Sequence, residues 1–147
     1  MPPSSGDSGG AIGSALYKYF SIHKSKKNLM HLQNPYLGPS FDNSYIKNLI
    51  NSNKKKLKKF SLDFMEDNSL IKFIAKEIND GKIIGWFQGS MEFGPRALGN
   101  RSILCDPRNP NMKSILNDKI KRRESFRPFA PSILREEVIN WFEINDD

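Results

Sequence analysis

Residues 82–105 read KIIGWFQGSMEFGPRALGNRSILC. Two short apolar runs bracket a glycine-rich loop. Lys82–Gln88 is bounded by glycines and is predicted as a buried strand; Ser102–Cys105 is predicted as a second. Between them, Pro95 and the glycines at 89, 94 and 99 point to a loop rather than regular structure. Just upstream, Asp67–Asp80 (DNSLIKFIAKEIND) sets Leu70, Ile71, Ile74 and Ile78 on one helical face. Gly81 is positioned to stop that helix. Helices alternating with short strands predict an α/β fold.

The same pattern extends in both directions. Pro110–Ile120 reads as a helix through Met112, Ile115, Leu116 and Ile120. Arg127–Leu134 (RPFAPSIL) should be extended, because two prolines forbid a helix interior. Arg135–Glu143 is amphipathic through Val138, Ile139 and Phe142. Toward the N-terminus, Asp42 or Ser44 can cap a helix carrying Tyr45, Ile46, Leu49 and Ile50. Asn34–Pro39 (NPYLGP) is turn-rich, and His23–Asn34 reads as a polar connector. Gly9–Phe20 is predicted as a short helix with Ile12, Leu16, Tyr19 and Phe20 on one side and Asp7 or Ser8 as its cap.

The chain has 147 residues, 37 % of them apolar and 27 % charged, which fits about one domain with a modest core. No apolar run approaches the ~20 residues of a membrane span, and MPPSSGDSGG is not a secretory signal. The single cysteine, Cys105, excludes an internal disulfide and fits a cytoplasmic setting; it is expected to be buried and inert. Trp86, Phe87, Phe126 and Phe129 are expected in the core. The net charge of +7 is concentrated: Lys24–Phe60 holds nine lysines against one acid, Asp42, with its peak at Lys54–Lys59. No aromatics interleave this tract, so it reads as a solvated segment rather than a stacking platform.

Two stretches carry the chemistry. Gln88–Arg108 brings Arg96, Arg101 and Arg108 beside glycine turns, where a backbone can approach a ligand closely. Arginine's planar fork matches phosphate or carboxylate. Lys119–Leu134 packs Lys121, Arg122, Arg123 and Arg127 together with Glu124 as the one acid of that group. In an extended segment Lys121, Arg123 and Arg127 would face one side. The competing assignment is structural, with Arg96 paired to Glu92 or Arg123 to Glu136. No Ser/His/Asp set and no paired carboxylates stand out, so the chemistry points to neutralising anions rather than to a strong base.

The runs GWFQGSMEFGPRALGNRSILCDPR (85–108) and MKSILNDKIKRRESFRPFAPSIL (112–134) resemble the C-terminal domain of the O-carbamoyltransferases of the nodulation-factor and antibiotic-carbamoylating type. NPYLGPSF (34–41) resembles the start of that domain, and PPSSGDSGGAIGSALY (2–17) the end of the domain before it; the lysine tract stands outside the resemblance. The resemblance implies a first domain of the actin-like ATPase/sugar-kinase type, ending here as residues 1–23. It further implies a connector with the lysine tract over 24–61, and a YrdC-like domain, a twisted mixed sheet with an open basic cavity, over 62–147. It implies that carbamoyl phosphate and ATP with Mg²⁺ form carbamoyl adenylate, whose carbamoyl group passes to a hydroxyl-bearing acceptor. By position, Lys121 and Arg123 are then the catalytic pair, and Arg96, Arg101, Lys121, Arg123 and Arg127 bind carbamoyl phosphate and ATP. Asp7 becomes a ligand of a transition metal, iron, held mainly by the first domain; His23 and His31 do not match that domain's ligands. Ser90 stands where the family usually has arginine. The chain ends at Ile144–Asp147 without a closing element and is expected to be a fragment, with a separate chain supplying the missing domain. RNA and membrane are not expected partners. Beside the enzyme stand two other readings, a YrdC-like RNA-binding module and an inactive truncated product.

Overall fold

The computed structural model describes residues 6–23 and 34–143. The connector over 24–33, with His31, and the final residues 144–147 lie outside the described residues. The architecture is mixed: helices and one small antiparallel sheet, in the α/β class.

Helix α1 spans Asp7–His23. The Gly6 carbonyl accepts from the N–H groups of Gly9 and Gly10 at 2.9 and 3.2 Å, so the helix starts at Asp7, ahead of the expected Gly9. Helix α2 spans Asn43–Ser52 and α3 spans Lys54–Leu57. Asp42 caps α2 as expected: its Oδ1 accepts from the Tyr45 N–H at 2.7 Å and the Ser44 hydroxyl at 2.8 Å. Those two bonds hold its carboxyl below the usual carboxylate range. The peak of the lysine tract is therefore not an irregular linker. Lys56 and Leu57 donate back to the Asn53 carbonyl, which starts a helical turn there.

Helix α4 spans Asp67–Asn79. It ends in a paired cap, in which Gly81 adopts φ 83°. The Gly81 N–H reaches the Ile78 carbonyl and the Lys82 N–H reaches that of Glu77, both at 2.9 Å. This is the Schellman arrangement, which a side chain with a Cβ resists at the left-handed position. The expected buried stripe is only partly formed. Leu70, Ile74 and Ile78 are half-buried, while Ile71 remains 59 % exposed. The reason is geometric: Leu70 and Ile71 face an open groove of about 420 Å³, whose other walls include Ile46 of α2 and Trp86 and Phe87.

Strands β1 (Ile84–Phe87) and β2 (Arg101–Leu104) pair antiparallel, with Ile84 opposite Leu104 and Phe87 opposite Arg101. Beyond the ladder, the Gln88 N–H still reaches the Asn100 carbonyl at 2.9 Å, so the long loop leaves and returns at one point. A second segment docks on that loop. The Gly38 N–H donates to the Met91 carbonyl and the Met91 N–H to that of Pro39, both at 2.9 Å, and the Phe93 N–H donates to that of Pro35 at 2.7 Å. The Tyr36 hydroxyl donates to the Leu98 carbonyl at 2.9 Å. The turn-rich NPYLGP stretch is thus an extended clamp on the loop 62 residues away.

After β2, helix α5 (Met112–Ile115) runs directly into a π-helical turn, Leu116–Lys121. Among the described residues, Met112 and Leu116 are the buried apolar side chains, each 4 % exposed. The extended stretch 127–134 follows as expected. A 3₁₀ turn at Arg135–Glu137 then leads into α6, Val138–Trp141. Several expected core residues lie outside the core. Phe87 is 50 % and Phe126 74 % exposed, and Trp86, Phe129 and Cys105 are half-buried. Trp86, Phe87 and Cys105 occupy or flank a sheet of only two strands, which leaves its faces open, while Phe126 and Phe129 lie in the non-regular chain after the π turn. Burial, and then the neighbouring Asp106 charge, push the Cys105 thiol up, so it stays protonated.

Gly38 is where this arrangement is most exposed to a single change. A Cβ there would sit 2.9 Å from both Cβ and the carbonyl oxygen of Met91. Gly38→Ala should push the clamp away and lose its two hydrogen bonds to Met91, at about 1–3 kcal/mol in all. Gly85→Ala, where a Cβ meets nothing within 4 Å, is the control. Hydrogen exchange at the Gly38 and Met91 amides should accelerate in the first variant and not in the second.

Candidate functional site

The loop between β1 and β2 is built around one carboxylate. The Glu92 side chain has no exposed surface. Its Oε1 accepts from the N–H groups of Leu98, Asn100 and Arg101 at 2.7, 2.9 and 3.1 Å. Its Oε2 accepts from Arg101 Nε at 3.1 Å, and Arg101 Nη2 also reaches the Glu92 carbonyl at 3.3 Å. Burial alone pushes the carboxyl pKa up. The N–H groups of Leu98 and of Glu92 itself, with the Arg101 guanidinium and amide, outweigh it and hold the pKa at about 2. Gly94 and Gly99 make the turns this requires, at φ 102° and 112°. The Asn100 amide secures the base of the loop by donating to the Ser90 carbonyl at 2.6 Å. Arg96, between the two glycines, is exposed and has no hydrogen-bond or ion-pair partner among the described residues.

The second cluster is organised by Asn117, which is 0 % exposed. Its Oδ1 accepts from Arg123 Nε at 2.8 Å, and its Nδ2 donates to the carbonyls of Ser125 and Arg127 at 3.2 and 3.0 Å. Arg122 ends the π turn in the left-handed region, at φ 49° and ψ 53°. The expectation that Lys121, Arg123 and Arg127 share one side of an extended segment is therefore corrected. Lys121 is the last residue of the π turn, and the backbone reverses hand at Arg122 before Arg123.

The competing pairings are corrected as well: Glu92 takes Arg101 rather than Arg96, and Arg123 takes Asn117 rather than Glu136. Arg127 pairs with Glu124 at 2.9 Å, and Arg108 is bound to Asp106 at 2.7 Å and to Asn79 at 2.8 Å. The Arg123 guanidinium also lies 4.8 Å from the Phe129 ring centre. Like Arg96, the exposed Lys121 ammonium has no partner among the described residues. The hydrogen bonds of Arg101 stay within the first cluster, those of Arg108 run to Asp106 and to Asn79 of α4, and those of Arg123 and Arg127 stay within the second cluster; none of them joins the two clusters. Asp7 is the first residue of α1, and its side chain lies outside what is described. Among the described residues no group of three or more His, Cys, Asp or Glu side chains is placed to share a metal ion.

The family model for the carbamoyltransferase C-terminus matches residues 75–147, which include both clusters. The chain belongs to the carbamoyltransferase family. An uncharacterized protein of Synechocystis is 45 % identical over 99 % of the chain. Nodulation protein NolO of Bradyrhizobium diazoefficiens is 39 % identical over 99 %. The 3'-hydroxymethylcephem-O-carbamoyltransferase of Amycolatopsis lactamdurans is 49 % identical over 51 residues, 35 % of the chain. The chain spans 24 %, 26 % and 10 % of the length of these three relatives. The first two align across the lysine tract, so the tract does not stand outside the likeness after all.

Sequence reasoning missed Glu92 and Asn117 as the organising residues of this carbamoyltransferase segment. Glu92 was legible only as a neighbour of Arg96, four positions away. Asn117 carried a weaker signal still, a polar residue directly after the buried Leu116. Glu92→Gln should keep one acceptor but lose the charge that faces Arg101, at about 2–3 kcal/mol. The folded pKa of Glu92 is depressed, so its contribution is complete above the ordinary value of 4.5 and is lost as pH falls through about 2. Amide chemical shifts of Leu98, Asn100 and Arg101 should therefore change together in that window, and Glu92→Gln should abolish the step. A step that survives the substitution assigns the titration elsewhere.

Proposed function

We propose that the chain carries the carbamoyl-phosphate and ATP site of an O-carbamoyltransferase, in a domain of YrdC-like fold. The supporting observation is how its cations divide. Arg101, Arg108, Arg123 and Arg127 are each engaged by a carboxylate or carboxamide, while Arg96 on the first loop and Lys121 on the second, with Lys119 and Arg122 beside it, are exposed and have no side-chain partner among the described residues. Cations kept exposed on loops of fixed shape suit ligands as anionic as these.

In the proposed reaction, water hydrolyses carbamoyl phosphate, giving inorganic phosphate and carbamate. Its oxygen attacks the α-phosphorus of ATP, forming carbamoyl adenylate and expelling pyrophosphate. An acceptor hydroxyl then takes the carbamoyl group and AMP leaves. Such a step needs charge neutralisation and alignment more than a strong base. Arg96 and Lys121 would contact the phosphates, Arg123 would complete the pair with Lys121, and Arg101 would hold its loop in place. Mg²⁺ would arrive with the nucleotide. The transition metal expected with Asp7 finds no ligand set among the described residues, so no step is assigned to it. Acceptor choice would belong to a preceding kinase-like domain, on this chain's longer form or on a separate chain.

The test is calorimetric titration of carbamoyl phosphate and of ATP with Mg²⁺ into the purified chain. Saturation near 100 times the dissociation constant should also raise the unfolding free energy by about 2.7 kcal/mol. Arg96→Ala or Lys121→Ala should weaken binding about 10- to 100-fold, the value of one charged hydrogen bond. Wild-type protein that melts cooperatively yet binds neither ligand would falsify the proposal.

A further inference from the structure

A carboxamide with no exposure to water is costly unless each of its polar atoms is bonded. Asn117 meets that condition with a particular set of partners. Both of its amide hydrogens are given to main-chain carbonyls beyond the turn, those of Ser125 and Arg127. Its side-chain oxygen receives Arg123 Nε at 2.8 Å, and its own carbonyl receives the N–H groups of Arg122 and Arg123, the latter at 3.0 Å. One residue thus ties down the segment from Arg122 to Arg127.

The backbone around it is unusual in two ways. Leu116–Lys121 is wound as a π turn, which adds a residue to the circuit and so rotates Lys121 relative to an ordinary helix. Arg122 then occupies the left-handed region, which a bulky side chain seldom adopts. Such conformations persist where surrounding bonds over-determine them. Here the bonds that do so converge on Asn117. None of them involves the ammonium of Lys121, which is exposed and has no partner among the described residues.

We infer that Asn117 is a positioning residue: it fixes the π turn and the Arg123 guanidinium so that Lys121 and Arg123 are presented together to an anionic ligand. The inference rests on the reading of those two residues as the phosphate-facing pair. Only a carboxamide serves, since the site needs two donors for carbonyls and one acceptor for Arg123. Aspartate keeps the acceptor and loses the donors; alanine loses all three.

The full chain is titrated with carbamoyl phosphate as wild type, Asn117→Ala and Asn117→Asp, each with its melting curve and with hydrogen exchange at the Arg122 and Arg123 amides. Asn117→Ala should weaken binding at least tenfold and deprotect both amides. Asn117→Asp, which holds Arg123 and keeps the side-chain shape, should recover part of the affinity and serves if the alanine variant fails to fold. Affinity unchanged in Asn117→Ala overturns the inference, as does an aspartate variant that folds but binds no better than alanine, or, where alanine does not fold, one that folds and binds as tightly as wild type. If the wild type itself binds no carbamoyl phosphate, the proposed function falls instead. The positioning role is then decided by exchange alone, and unchanged amide protection in whichever variant folds overturns it.

Discussion

A buried carboxylate must find its counter-charge and its donors inside the chain, and Glu92 imposes that requirement on everything around it. Three backbone N–H groups from residues 98–101 and one guanidinium must converge on two oxygens. The chain between can do so only by turning sharply, which the left-handed glycines at 94 and 99 allow. Leu98 is then held from both sides, by Glu92 at its N–H and by Tyr36 at its carbonyl. Tyr36 belongs to the clamp that needs Gly38 to lie against Met91. The strand pair, the clamp and the loop are thus one linked arrangement, and the removal of one buried charge would loosen all three.

The second cluster solves a related problem with the opposite electrostatics. Its surroundings are crowded with cations, from Lys119 through Arg127. A buried carboxylate there could accept from Arg123 but would leave the Ser125 and Arg127 carbonyls facing an anion. A carboxamide both gives and receives, so Asn117 can join a cation to two carbonyl dipoles without adding a charge. Glu124 offsets the local excess from the surface by pairing with Arg127, and its own N–H, then Arg127, keep its carboxyl below the ordinary range.

What could be read from the sequence was what local chemistry decides. Asp42 before an apolar helical pattern gives a cap, Gly81 after one gives a helix stop, and two apolar runs around a glycine loop give two short strands. The reading failed where partners are chosen at a distance. Glu92 and Arg96 stand four apart, a spacing that pairs charges on a helix but has no such meaning in a loop that folds back on itself. Lys121, Arg123 and Arg127 alternate as if on a strand, yet the buried Asn117 draws them into a π turn and a left-handed residue. The α4 stripe was correctly placed on one face, but periodicity says which residues align, not whether a neighbouring layer closes over them. The anionic-ligand reading of the two arginine-rich runs came from residue types alone; which of those cations remain free emerged only from the geometry.

That distinction bears on the meaning of the +7 charge. Among the described residues the ion pairs are Arg101–Glu92, Arg108–Asp106 and Arg127–Glu124, and no lysine takes part. In the family-matched region Arg101, Arg108, Arg123 and Arg127 are paired or held by neighbouring groups, so these four shape the surface more than they charge it. The excess lies instead on the lysines of 54–59, on α3 and the turn after it, which are exposed and screened over about 8–10 Å at ordinary ionic strength. On the proposed function, a phosphate arriving at the loops would meet Arg96 on the first and Lys121, presented with Arg123, on the second, with the exposed Lys119 and Arg122 beside them. Selectivity for an anionic ligand would then depend on how Glu92 and Asn117 shape the two loops that carry those cations, more than on the charge of the chain as a whole.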